Sequence, residues 1–206
     1  ATFGGAIQNA ISITKIGTGT ETLSGANAYT GDTVVKAGTL VANTASSGAG
    51  NYSVSNNAAL GVNVASSGST LAVNDLSFGA SGTAINLNTG TTGNPAAAIV
   101  NVGGALAMNG DVNLSLSGVG LTAGGPFTVL TYNAGSRIGA GSFILNNSPR
   151  VVATLNDDMA GHVTVTIISA DTSVKWNGGS AGNWDISDAG NTIWQTVPAG
   201  NPTYYI

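Results

Sequence analysis

The sequence has no cysteine and very little charge. Lys, Arg, Asp and Glu together make up 7% of the 206 residues, against about a quarter in an average globular domain. Without cysteine there is no disulfide framework, no thiolate metal site and no cysteine nucleophile. Stability must therefore come from packing and backbone hydrogen bonds. A cysteine-free chain rich in Gly, Asn, Ser and Thr suits a protein that folds outside the cell, which predicts an extracellular location.

Positive charge is especially scarce. The chain has five Lys or Arg residues, spread along its length, and a net charge of -4. No basic patch is available for a phosphate backbone or an anionic lipid surface, so nucleic acid is excluded as a partner. No stretch approaches the roughly 18 consecutive apolar residues of a membrane span. We therefore expect no membrane insertion by this segment.

Apolar residues are nevertheless frequent, at 42% of the chain, which argues against disorder. No window shows the apolar spacing of an amphipathic helix, and Gly interrupts nearly every one. A short phrase recurs instead, in which a Gly or Asn turn precedes alternating small and branched apolar residues, as half-buried strands require. The phrase occurs at residues 38–41, 57–62, 68–73, 82–87 and 104–108. An all-β fold follows.

The phrase returns at a spacing typical of solenoid coils. Leu40, Leu60, Ile85 and Leu106 are separated by 20, 25 and 21 residues, a period that fits one turn of a parallel β-helix. In such a fold each strand pairs with its equivalent one coil away. The alternative is a β-sandwich in which Gly and Asn mark hairpin loops.

Residues 13–40 resemble the autotransporter-associated β-strand repeat of bacterial surface proteins. The spacing of that family's pattern is kept, with departures at Glu21 and Asp32 that we expect to leave the coil intact. The resemblance implies a right-handed β-helix passenger with a structural or adhesive role rather than an enzyme. The matching segments are Lys15-Ile16-Gly17-Thr18-Gly19-Thr20, Leu23-Ser24-Gly25-Ala26-Asn27-Ala28-Tyr29-Thr30-Gly31 and Ala37-Gly38-Thr39-Leu40.

Three regions are predicted along the chain. Residues 1–125 form the parallel β-helix, and residues 126–170 form longer antiparallel strands that cap its end. Within the cap, residues 156–161 are predicted to be a hairpin turn. Residues 171–206 carry all three tryptophans and form a linker to the next repeat or subunit.

The tryptophan segment resembles the linker found between such repeats in very large bacterial surface proteins. Its motif is Trp-x-Gly-Gly followed by Asn-Trp-Asp, here at residues 176–185, with a further Trp beyond. The predicted partners are copies of the same chain or tandem repeats of it. In the alternative interpretation, the aromatic residues form a platform for surface glycans. The candidate junction residues are Trp176, Trp184, Trp194, Tyr204, Tyr205 and Phe3.

Acidic residues offer little for catalysis. Asp157 with Asp158, and Asp185 with Asp188, are the pairs that lie close in sequence, and His162 is the single histidine. Neighbouring residues on a strand point to opposite faces, so Asp157 and Asp158 are expected to be turn residues. One histidine rules out a multi-histidine metal site. We predict no catalytic residue, no metal and no cofactor.

The predicted function is therefore that of a non-enzymatic structural repeat in a secreted bacterial surface or filament protein. Units would stack end to end to form a stalk, a fibre or an adhesive passenger. Two other functions stay open: a carbohydrate-binding adhesin module, and a β-helix enzyme that cleaves polysaccharides.

Overall fold

The computed structural model describes residues 1–148 and 150–170, together with the backbone of 173–176 and 194–197. Over this part of the chain the secondary structure is entirely β, with no helix. Most strands stack in parallel, each hydrogen-bonded to an equivalent strand in the next coil. The predicted all-β class and parallel solenoid architecture are confirmed, whereas the hand of the coil stays a prediction.

The first sheet contains seven strands, all parallel to their neighbours. Side chains alternate between the interior and the solvent: in the fifth strand Ile85 and Leu87 are fully buried while Asn86 is exposed. In spatial order the strands are β1 (Thr2–Phe3), β4 (Thr20–Leu23), β7 (Gly38–Asn43), β9 (Ala58–Asn63), β12 (Thr83–Asn88), β15 (Val112–Ser117) and β18 (Phe143–Leu145).

The register of the first sheet gives the length of each coil. The predicted stacking of Leu40, Leu60 and Ile85 is confirmed, but the prediction for Leu106 is wrong: the partner of Ile85 is Leu114. Leu106 lies in a different sheet, beside Leu76. Coils therefore lengthen along the axis, with register separations of 20, 19, 20, 25, 29 and 31 residues for Thr2/Thr22, Thr20/Thr39, Leu40/Leu60, Leu60/Ile85, Ile85/Leu114 and Leu114/Leu145.

A second sheet of six short parallel strands forms another wall of the solenoid. The three-residue strands from the second to the fifth bury both end residues and turn the middle one outward. The strands are β3 (Ile13–Lys15), β6 (Thr33–Val35), β8 (Tyr52–Val54), β11 (Leu76–Phe78), β14 (Leu106–Met108) and β17 (Arg137–Ile138).

A third sheet forms the remaining wall of the later coils and carries the cap. Three strands, β10 (Leu71–Val73), β13 (Val100–Val102) and β16 (Gly124–Tyr132), pair in parallel. Two more, β19 (Val151–Asp157) and β20 (His162–Ala170), form a hairpin that pairs with β16 in the antiparallel direction. The predicted antiparallel cap strands and the predicted hairpin turn are thereby confirmed.

The predicted cap region is antiparallel only in part, because β16 pairs with β20 in the antiparallel direction on one side and with β13 in parallel on the other. The strands over residues 126–145, which we assigned to the cap, pair in parallel with β13, β14 and β15 and complete the last coil. The cap proper is the hairpin of β19 and β20. Strand-like spacing identified these segments correctly, but apolar alternation is the same for a strand that pairs in either direction.

The core fills the solenoid from the first coils to the cap. It consists mainly of Leu, Val and Ile side chains, and each fully buried one contributes roughly 1.5–3 kcal/mol relative to an exposed one. Aromatic rings are also buried: Tyr29 and Tyr52 lie in the early coils, and Phe78 and Phe143 of later coils make an edge-to-face contact with ring centroids 6.3 Å apart. One continuous hydrophobic cluster therefore joins the coils to the hairpin.

Two small sheets lie outside these walls. Strands β2 (Gln8–Asn9) and β5 (Ala28–Tyr29) pair in parallel between the first two coils. Strands β21 (Ser173–Trp176) and β22 (Trp194–Val197) pair in the antiparallel direction.

Candidate functional site

The repeat segment is held to its neighbouring coils by glycines that allow a close approach of backbones. A Cβ on Gly25 would collide with the carbonyl oxygen of Gly5, and a Cβ on Gly31 with that of Ile11. Gly38 has a φ of 66°, a conformation in which a side chain is strained. These glycines of the motif therefore serve the stacking of one coil on the next.

Asn27, another residue of the motif, supplies a buried hydrogen-bond bridge between coils. It is 2% exposed. Its Oδ1 accepts from the backbone N–H of Ile7 at 3.0 Å, and its Nδ2 donates to the carbonyl oxygen of Gly25 at 2.9 Å. A buried amide pays for its desolvation only when it is bonded in this way. At this corner of the coil, the side-chain hydrogen bonds of Asn27 thus do what backbone hydrogen bonds do between paired strands.

Tyr29 brings a hydroxyl into the core. Its hydroxyl lies 2.8 Å from Thr33 Oγ1 and 3.1 Å from the hydroxyl of Tyr52 on the next coil. Burial, followed by the influence of Tyr29, raises the pKa of Tyr52 far above its ordinary value. The Tyr52 hydroxyl is therefore neutral. It links adjacent coils through hydrogen bonds and is not activated as a nucleophile.

Lys15 closes the turn at the start of the motif. Its ammonium donates to the carbonyl oxygens of Ile16 at 2.8 Å, Gly17 at 2.6 Å and Ala37 at 3.2 Å. The last of these carbonyls belongs to the following coil. The lysine of the motif thus helps to hold adjacent coils together, and its ammonium group is bonded to backbone carbonyl oxygens.

The two departures from the family pattern are accommodated as expected. Glu21 lies in β4 with Leu40 as its register partner. Asp32 accepts a hydrogen bond from Asn51 Nδ2 at 3.0 Å, and its backbone N–H donates to Ser12 Oγ. Both positions keep the strand pairing of the coil.

The outer edge of the first coil, formed by β1, β2 and β3, has no neighbouring strand among the described residues, and we call it the open edge. Its backbone groups at Ala1, Phe3, Ile7 and Asn9 bond to the second coil. Because alternate residues of a strand point their backbone groups to opposite sides, those of Thr2 and Gln8 point away from the second coil. The backbone groups of Thr14 also point away from the second coil, since the N–H of Ile13 bonds to the carbonyl of Asp32 and the carbonyl of Lys15 accepts from the N–H of Lys36, on either side of β6.

Large apolar side chains lie beside this open edge. Phe3 is 47% exposed, Ile11 48% and Ile16 71%. The ring of Phe3 lies over Gly5. Unpaired strand groups with exposed apolar side chains form a template for another strand.

Only part of the predicted aromatic junction lies among the residues that the structure describes. Trp176 and Trp194 are register partners across the ribbon of β21 and β22. Phe3 lies in β1 at the open edge. Trp184, Tyr204 and Tyr205 lie outside the described residues, as do Asp185 and Asp188. The junction therefore stays a prediction.

Asp157 and Asp158 are separated by the hairpin geometry, as expected for neighbours near a strand end. Asp157 accepts a hydrogen bond from the hydroxyl of Tyr132 at 2.8 Å and lies 3.6 Å from Arg137 Nη1. Both partners of this ion pair are mostly buried. Burial, followed by the bond to Asp157, raises the pKa of Tyr132 to about 12. The arrangement fastens the hairpin to the last coil.

Asp158 organises the hairpin turn. Its Oδ1 accepts from the backbone N–H groups of Ala160 at 2.8 Å and His162 at 2.9 Å, and its Oδ2 lies 2.9 Å from His162 Nδ1. The backbone donors, His162 first, lower the pKa of Asp158 to about 2. Asp158 is thus a carboxylate across the neutral range, and it orients the imidazole of His162.

A lateral groove of about 470 Å³ lies on the outer face of the third sheet. One wall is the loop over residues 95–98, and the other is formed by Pro126, Phe127 and Thr128. Thr131 and His162 complete the lining, and they are register partners on β16 and β20. No local sequence signal marks this groove, because its walls are one coil apart and are brought together by a coil length of about thirty residues, as in the pairing of Val100 with Leu130.

The described part of the chain contains neither a candidate metal-ion cluster nor a candidate membrane-spanning helix. No three His, Cys, Asp or Glu side chains come together there in a group that could hold a metal ion. The same residues contain no helix long and apolar enough to cross a membrane.

Residues 13–42 match the family model of the passenger-associated-transport-repeat. The match covers the segment in which the sequence resembles the autotransporter-associated repeat, so that recognition is confirmed. It indicates an autotransporter passenger repeat, a class in which a structural role is expected. No curated protein and no solved structure matches the chain.

Proposed function

We propose that this chain is a non-enzymatic structural repeat of a secreted bacterial surface or filament protein. Its units stack end to end, either as tandem repeats of one polypeptide or as separate copies, to extend a stalk, fibre or adhesive passenger outside the cell. The match of residues 13–42 to a passenger repeat supports the secreted location and the structural class.

The open edge of the first coil is the observation that carries this proposal. Backbone groups of Thr2, Gln8 and Thr14 point away from the second coil, beside the exposed side chains of Phe3 and Ile11. In the second coil the equivalent groups of β4, β5 and β6 bond to the first coil. A further coil placed on this edge would satisfy these groups and cover the apolar side chains.

The opposite end offers matching strands on two walls. Strand β18 ends the first sheet and β17 ends the second, while the hairpin of β19 and β20 occupies the third. The open edge likewise exposes β1 of the first sheet and β3 of the second. Head-to-tail contact of two copies through these walls is heterologous, and such contacts build filaments when they do not close into a ring.

The aromatic residues would seal this contact. Phe3 lies at the open edge, and Trp176 and Trp194 are paired on the ribbon after the hairpin. We assign Trp184, Tyr204 and Tyr205 to the same junction from the linker motif. Aromatic side chains are large apolar groups that anchor interfaces well.

The environments of the acidic residues support the non-enzymatic assignment. Asp157 is buried against Arg137 and Tyr132, and Asp158 is held by the turn it forms. Both carboxylates therefore have structural partners. A polysaccharide-cleaving enzyme needs two carboxylates facing one substrate groove. Asp32 and Asp75 line one groove on the second sheet, but Asp32 accepts a hydrogen bond from Asn51 Nδ2 and Asp75 accepts one from the backbone N–H of Ala105, so these carboxylates also have structural partners.

End-to-end stacking can be tested with a substitution that blocks only the open edge. Thr14→Pro removes the outward N–H while the N–H of Ile13 still donates to the carbonyl of Asp32, and proline is tolerated at such edge positions. Thr14→Val keeps the N–H and is the matched control. In sedimentation velocity at increasing concentration, we expect the native chain and Thr14→Val to associate, and Thr14→Pro to associate at least tenfold more weakly.

Equal association of Thr14→Pro and Thr14→Val would contradict pairing at this edge, and a native chain that stays monomeric throughout would contradict docking of separate copies. The denatured mass of the polypeptide from its natural source then decides between the two forms of stacking. A mass of several units indicates a tandem array, and a mass near 20.1 kDa indicates docking subunits.

A further inference from the structure

The lateral groove on the third sheet has the shape of a small-molecule site. Its volume of about 470 Å³ lies within the roughly 300–1,000 Å³ typical of such sites. The pyrrolidine rings of Pro95 and Pro126 and the half-buried ring of Phe127 supply apolar surface. Thr131 and His162 supply polar atoms at the opposite side.

The lining carries no Lys, Arg, Asp or Glu among the described residues. A phosphate or a polyanion would lack the basic groups that recognise it. A metal ion or an ammonium group would lack direct carboxylate partners, since Asp158 lies behind His162 and is bonded to it. The groove is therefore suited to a neutral ligand.

The polar side of the groove offers two hydrogen-bonding atoms. His162 Nδ1 lies 2.9 Å from Asp158 Oδ2, which leaves Nε2 as the ring nitrogen that can bond a ligand. Thr131 donates its hydroxyl proton to Asn101 Oδ1 at 2.8 Å, so its oxygen is left to accept. A ligand that carries O–H groups complements both atoms.

We propose that this groove binds a neutral saccharide unit of a glycan chain. An apolar ring face of the sugar packs on Pro95, Pro126 and Phe127, and its hydroxyls donate to Thr131 and His162. A peptide is a poorer fit, because its backbone needs a regular series of donors and acceptors, whereas the polar side chains of this lining are Thr128, Thr131 and His162. The groove lies on the lateral wall, so its occupancy is independent of end-to-end stacking.

Nuclear magnetic resonance can test the proposal with the single histidine as the reporter. The full chain is titrated with neutral trisaccharides of glucose, galactose and N-acetylglucosamine, with a galacturonate trimer, and with a proline-rich peptide. We expect at least one neutral trisaccharide to shift the His162 imidazole resonances in a saturable way, and the charged sugar and the peptide to leave them unchanged.

Two variants locate the binding. Thr131→Val removes the acceptor while keeping the side-chain volume, and it should weaken binding roughly three- to tenfold, the effect of one lost hydrogen bond. Thr154→Val, on the exposed face of β19 outside the groove, is the matched control and should bind like the native chain. Thermal unfolding confirms that both variants fold.

Several results would overturn the assignment. Absence of any His162 shift with all neutral trisaccharides excludes saccharide binding here. Equal affinity of Thr131→Val and the native chain places binding elsewhere. Preference for the galacturonate trimer or the peptide assigns the groove to another ligand class. Each of these outcomes leaves the sedimentation test of stacking unaffected, so the two proposals fail separately.

Discussion

Gly50 lies one coil beyond Gly31, so close that a Cβ on Gly50 would collide with the carbonyl oxygen of Gly31. Gly31 in turn faces Ile11 in the preceding coil with the same proximity. One corner of the solenoid thus depends on glycine in successive coils, and no flexible side chain is available there to move aside.

The first prediction follows from this corner. Gly50→Ala should lower the free energy of unfolding by about 1–3 kcal/mol, as expected for overpacking, because the backbones of adjacent coils must separate. Gly19→Ala is the matched control, since nothing lies within 4 Å of its added Cβ. Chemical denaturation compares the two variants, and equal stability would contradict the corner contact.

The second prediction concerns the buried amide of the repeat. Asn27→Ala should cost about 1–3 kcal/mol, because the N–H of Ile7 loses its partner, whereas the carbonyl of Gly25 keeps the bond from Asn43 Nδ2. Asn113→Ala, on the outer face of β15, should change stability by less than about 0.5 kcal/mol. Urea unfolding measures both, and a neutral Asn27→Ala would show that the bridge is dispensable.

The third prediction concerns alkaline pH. The pKa of Tyr132 is raised from 10.0 to about 12, so the stabilisation by its neutral hydroxyl is complete below pH 10 and is lost as the pH rises towards 12. Tyrosinate absorbance should reveal this late ionisation. In Asp157→Asn the pKa of Tyr132 should fall while burial keeps it above 10. An unchanged titration would contradict the contact between the two residues.

The fourth prediction concerns acid. The pKa of Asp158 is lowered from 3.8 to about 2, so its contribution to stability is present above pH 3.8 and is lost as the pH falls towards 2. Carboxyl resonances of labelled Asp158 report this titration directly. In Asp158→Asn the stability of the hairpin should depend less on pH in this window. An ordinary pKa would show that the turn does not hold the carboxylate.

The sequence predicted the stacking of the first coils because those coils have nearly constant length. Leu40, Leu60 and Ile85 keep one register, whereas Leu106 was assigned to the wrong wall. The phrase around Leu106 has the same alternation as the phrase around Leu114, since strands of every wall bury alternate residues. A period read from one phrase therefore fails once a longer loop changes the coil length.

The candidate sites were harder to predict than the fold. The residues of the repeat motif were identified, but the partners of Asn27 and Tyr29 lie about one coil away and depend on the exact register. The lateral groove had no local signal, because Pro95 and Pro126 are neighbours only through stacking. The spacing of apolar residues along the chain predicts where the strands are. The length of each coil is needed as well to predict which residues of different coils form one surface.

The lengthening of the coils has a mechanical consequence. The first coils have a small interior with few buried side chains, whereas the later ones enclose Phe78, Met108 and Phe143 and are tied to the hairpin. A force applied along the axis should therefore separate the short first coils, at the narrow end of the solenoid, more easily than the later ones. Coils would peel away from that end one after another, while the wide end holds as an anchor.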